Sequence, residues 1–80
     1  MHRVHVVFKE AGFDAETTAA MGAAFDTAWQ ILKTRDPLIA KAPLAGPTRD
    51  VLAKFIVDLA QRGVADPLKL VDSALARMRL

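Results

Sequence analysis

Eighty residues carry a formal net charge of +2, 52% apolar side chains and no cysteine. Without cysteine there is no disulfide, no thiolate nucleophile and no zinc–thiolate site. Eleven basic against nine acidic residues falls far short of the clustered excess of a strong nucleic-acid binder, and so short a chain is one small domain, 1–80, whose modest core would gain from self-association.

Residues 2–9 alternate. His2, Val4, Val6 and Phe8 fall on one face, and Arg3, His5, Val7 and Lys9 on the other. Period two with β-branched residues predicts a half-buried strand. A lone strand leaves half its donors and acceptors unmatched, so this one is expected to pair with its own copy, with Val4, Val6 and Phe8 as the dimer interface.

A first helix is expected over 14–35. Asp14 is a good N-cap, Glu16 suits the positive end of the helix dipole, and Met21, Phe25, Ala28 and Leu32 recur at helical spacing. Asp36-Pro37 ends it. Pro37, Pro43 and Pro47 stiffen the connector that follows, with one short turn around Leu38–Lys41, and Lys33, Arg35, Lys41 and Arg49 make this the most basic stretch. A second helix is expected over 48–62 with Thr48 as N-cap and Leu52, Phe55, Ile56 and Leu59 facing inward. Gly63 is placed for a left-handed C′ position, with Val64 meeting Leu59 in a Schellman ending. The alternating charges Asp50, Lys54, Asp58 and Arg62 read as a solvated face. The third helix, 66–79, opens on Asp66-Pro67 and carries the stripe Leu68, Val71, Leu75, Met78.

Phe13-Asp14-x-Glu16-Thr17, Ala24-Phe25-Asp26-x-Ala28-Trp29, Arg49-x-x-Leu52-Ala53-x-x-Ile56, Gly63-x-x-Asp66-Pro67 and Ala74-Leu75 together resemble a group of small helical proteins of alphaproteobacteria without an assigned activity. The resemblance covers about residues 13–76, implies a helical fold and says nothing of chemistry. A second likeness concerns DNA. GPTRDVLAKFIVDL is similar to the second helix of ribbon–helix–helix repressors, and RVHVVF to their strand. It implies a dimer whose paired strands enter the major groove, with Arg3, His5 and Val7 towards the bases. Arg3, Lys9, Lys41, Thr48 and Arg49 would then be the phosphate contacts, the amides of Thr48 and Arg49 holding one phosphate at the helix start. The chain departs from that family in its long first helix, its proline-rich connector and its third helix. A helix–turn–helix is also poorly served, because the third helix opens Pro67-Leu68-Lys69-Leu70 and carries Asp72 where a groove reader needs donors.

Catalytic chemistry finds little to use. His2 and His5 would point to opposite faces of a strand and have no third ligand partner, so no metal site is expected. Ser73, the only serine, has no base near it in sequence. Asp26, between Phe25 and Trp29, reads as the polar edge of an apolar stripe near Gln30 and Lys33. Met21, Phe25 and Trp29, with Ala20, Ala24 and Ile31 beside them, form a candidate partner surface, since the first helix has more apolar circumference than two short helices should cover.

The reading is therefore a mainly α protein, a three-helix bundle with one short N-terminal β-strand paired across a dimer. It is expected to be cytoplasmic, with no membrane partner, no cofactor and no enzymatic activity. It would act as a homodimeric interaction or regulatory module on an unidentified protein partner, the alternative being a ribbon-type DNA-binding regulator.

Overall fold

The computed structural model describes residues 12–41 and 43–78. Three α-helices, α1 (Ala15–Arg35), α2 (Ala45–Gln61) and α3 (Pro67–Met78), follow one another, with a 3-10 turn (Pro37–Ala40) between the first two. Each helix packs on both others, which makes a three-helix bundle. No strand occurs among the described residues. The strand expected over 2–9, with Val4, Val6 and Phe8, lies outside them.

Local chemistry sets most of the boundaries. Asp14 caps α1, its Oδ1 accepting from the Thr17 amide at 2.8 Å. Asp36 closes α1 and opens the next turn: its amide donates to the Leu32 carbonyl at 2.9 Å, and its Oδ1 accepts from the Leu38 amide at 3.2 Å. Asp66 does the same for α3, accepting from the Leu68 amide at 2.9 Å, with Pro67 in the first position, where a missing N–H costs nothing. The end of α2 is a Schellman turn. Gly63 takes φ +99°, its amide donates to Ala60 O at 3.0 Å, and the Val64 amide donates to Leu59 O at 3.1 Å.

The start of α2 differs from the expectation. The helix begins at Ala45, three residues before Thr48, and no side chain caps it. Lys41 O accepts from the amides of Leu44 and Ala45, at 2.9 and 3.1 Å, so the preceding turn runs straight into the helix. Pro47 fits the first turn because it has the right φ and no amide to satisfy. The Thr48 amide is already an intrahelical donor, to Leu44 O at 3.0 Å. Backbone continuity from the connector outweighs the capping preference of threonine.

The core is built from one stripe per helix. Met21, Ala24, Phe25 and Ala28 of α1 meet Leu52, Ile56 and Leu59 of α2 and Leu70, Val71, Ala74 and Leu75 of α3. Met21, Leu52, Ile56 and Leu70 are the largest side chains fully removed from solvent. Alanines at 24, 28 and 74 have no exposure at all, so they let neighbouring backbones approach where a larger side chain would hold them apart. Around this centre Phe13, Trp29, Leu32, Phe55, Val57 and Met78 are half-buried.

Two glycines of α2 and its exit turn should respond oppositely to alanine. Gly63 needs a left-handed backbone, and Gly63→Ala is expected to cost about 1–2 kcal/mol. Gly46 lies in the first turn with nothing within 4 Å of an added Cβ, so Gly46→Ala is expected to gain about 0.4–1 kcal/mol. Thermal unfolding of the two variants checks both signs, at about 4–8 °C per kcal/mol for a domain of this size.

Candidate functional site

The structure removes the expected partner surface on α1. Met21 has no exposure and Phe25 only 2%, because both point into the bundle axis rather than away from it. Ala20 and Ala24 are buried as well, and Ile31 is half-buried. The wide apolar circumference of α1 is thus largely covered within this chain.

Trp29 is half-buried on the flank of α1, where it forms a shelf with the edge of Phe25. Arg49 of α2 lies across that shelf, its guanidinium carbon 5.8 Å from the Phe25 centroid and 5.6 Å from the Trp29 centroid. Its Nε is buried without a hydrogen-bond partner. Two ring faces compensate part of that desolvation. The phosphate contacts expected at the start of α2 therefore change character: the Thr48 amide is occupied, the Arg49 amide lies one residue deeper, and the Arg49 side chain rests on aromatic rings. Lys41 is exposed in the connector. Arg3 and Lys9 lie outside the described residues.

The opposite flank of α2 carries the feature that the sequence reading did not isolate. Pro47, Thr48, Val51 and Phe55 of α2 and Arg77 and Met78 of α3 line an open, mainly apolar groove of about 290 Å³. The five-residue connection after α2 makes α2 and α3 antiparallel, which places the start of one beside the end of the other. Phe55, expected in the inner face with Leu52 and Ile56, stands at the edge of the core and forms a groove wall. Val51 remains 42% exposed and Leu44, at the mouth of the helix, 50%. The signal was present: Leu44, Thr48, Val51 and Phe55 recur at spacings of four, three and four, a second apolar stripe beside the one that enters the core.

Arg77 fixes one side of this groove. Its guanidinium carbon is 5.8 Å from the Phe55 centroid, and its Nη1 donates to Asp58 Oδ2 at 2.6 Å. The same oxygen accepts from Arg62 Nε at 2.9 Å. Of the alternating charges on α2, Asp58 and Arg62 thus form the pair expected along the helix, while Arg77 adds a tie from α3 to α2. Asp50 and Lys54 have no ion-pair partner among the described residues. The described residues hold no group of three or more potential metal ligands, and none of their helices is long and apolar enough to cross a membrane.

No protein-family model matches the chain, and neither a curated protein nor a solved structure matches it.

Hydrogen bonding from Arg77 holds the Asp58 carboxyl below its ordinary value, with Arg62 adding to it and desolvation opposing both. A carboxylate with a lowered folded pKa contributes stability that is complete above its unfolded pKa, about 3.9, and fades as the pH falls through the folded value. Asp58→Asn is therefore expected to melt below the parent protein at neutral pH, with the gap closing below about pH 4. Salt should narrow the gap at neutral pH, since the three side chains are partly exposed. A gap that stays constant across the titration would mean that Asp58 acts through packing alone.

Proposed function

We propose that this chain is a non-enzymatic protein–protein interaction module, working through the α2–α3 groove and as a homodimer. The groove is the observation that carries this reading. A three-helix domain of this size has few apolar side chains to place, yet Val51, Phe55 and Met78 are gathered at one surface cleft rather than turned fully inward. Its volume lies at the small end of ligand pockets, which run to about 300–1,000 Å³, and it is open along one side. That shape suits an anchoring side chain from another protein better than an enclosed small molecule. The homodimer rests on the alternation of residues 2–9, which predicts a strand able to pair with its own copy, with Val4, Val6 and Phe8 sharing one face.

The ribbon-type DNA-binding alternative draws on the same strand and on a phosphate held at the start of the second helix. Geometry favours it less at the second point, because the amide of Thr48 is bonded within α2 and the Arg49 guanidinium sits over the rings of Phe25 and Trp29.

A photo-crosslinking amino acid at position 51 in the producing cells is expected to give discrete adducts, while the same residue at Lys69, exposed on α3, gives none. Equal or absent adducts at both positions would remove the groove from the reading. The dimer is checked separately by sedimentation equilibrium. The full chain is expected to show twice its monomer mass and a chain lacking residues 1–9 a single one.

A further inference from the structure

The groove's chemistry says what kind of segment it accepts. Its floor and walls are carbon from Pro47, Val51, Phe55 and Met78, and among the described residues of its lining the one charged side chain is a cation, Arg77. Lys54 stands one helical step from Val51 and beside Phe55, exposed and without an ion-pair partner among the described residues. The carboxylate bonded to Arg77, that of Asp58, is also shared with Arg62, so the Asp58–Arg62–Arg77 cluster keeps one positive charge in excess. The groove also abuts the first turn of α2, where the helix dipole is positive.

We infer that the groove binds an acidic amphipathic segment of a partner protein. One or two bulky apolar side chains of the segment pack against Val51, Phe55 and Met78, and flanking carboxylates meet Arg77 and Lys54. Asp58 positions Arg77 for this contact: it holds the guanidinium over Phe55 through Nη1, which leaves further guanidinium donors for a partner carboxylate. An amphipathic helix presenting two anchors, at i and i+3 or i+4, is the segment that fits such a cleft between two helices. This inference rests on the groove being an interaction surface and adds the chemistry of the partner.

A random-peptide display selection on the full chain tests it, followed by fluorescence anisotropy with the selected peptides. Enrichment of peptides that combine Asp or Glu with Leu, Ile, Phe or Trp is expected. Those peptides should lose at least tenfold in affinity against Val51→Glu. They should lose several-fold against Lys54→Glu, and bind the parent more weakly as salt rises. Both substitutions fall on exposed positions of α2, and circular dichroism verifies that the helices persist. Peptides that depend on Val51 but are neutral or basic would overturn the acidic assignment while leaving the interaction reading in place. Absence of any Val51-dependent peptide would overturn both. Self-association of the parent that Val51→Glu abolishes would assign the groove to a second copy of this chain. Salt-sensitive binding of a labelled DNA duplex, lost with Lys54→Glu, would assign it to nucleic acid. Each of these two results refutes the acidic-segment proposal.

Discussion

The fold depends on each helix serving the other two at once. Leu52 and Ile56 of α2 have no solvent exposure, enclosed in one cluster with Met21 and Phe25 of α1 and Leu70 and Ala74 of α3. A bundle of three helices has no redundancy: each helix covers part of the other two, and a core of thirteen buried apolar residues among those described cannot lose one wall and remain closed. The alanines follow from the same constraint. With few large side chains available, the bundle gains contact by bringing backbones together at Ala24, Ala28 and Ala74 rather than by filling wider gaps. Closure within one chain is also why most of the apolar circumference of α1 is covered, Met21 and Phe25 included, with Trp29 and Ile31 left half-buried.

How much of this could be read beforehand divides along the line between local and tertiary effects. Asp14, Asp36, Asp66-Pro67 and Gly63 act on amides within a few residues of themselves, so the limits of α1, the start of α3 and the exit of α2 are legible from the chain alone. The start of α2 was not. Thr48 carries a stronger capping preference than Leu44, but capping competes with whatever backbone precedes it, and the Lys41 carbonyl had already organised the turn. The surface was harder still. α2 has two apolar stripes, Leu52-Ile56-Leu59 and Leu44-Thr48-Val51-Phe55, and periodicity does not say which of them a neighbour covers. That choice is made by where α3 lies, and α3 leaves the second stripe half-open. Met21 and Phe25 were misplaced for the same reason, being apolar at helical spacing whether buried or not.

Charge follows the same division. The alternating pattern along α2 suggested a face that pairs with itself, and Asp58 with Arg62 does so. Arg77, nineteen residues further along, also reaches that carboxylate, a link that nothing in the spacing of one helix discloses. Arg49 shows the converse. Its position after Gly-Pro-Thr suggested an outward cation, but the rings of Phe25 and Trp29 lie within reach across the helix pair and draw it inward.

The Schellman turn at Gly63 has a mechanical corollary. The two walls of the groove belong to α2 and α3, which meet at that turn on the far end of the molecule, like the arms of a caliper meeting at a pivot. The Asp58–Arg77 tie crosses the arms part-way along and acts as a strut. The width of the mouth is then governed from a distance. A longer or looser pivot, or a missing strut, would change the spacing between Val51 and Met78 without touching either residue, so selectivity at this cleft is tunable from Gly63 and Asp58, which form no part of its lining.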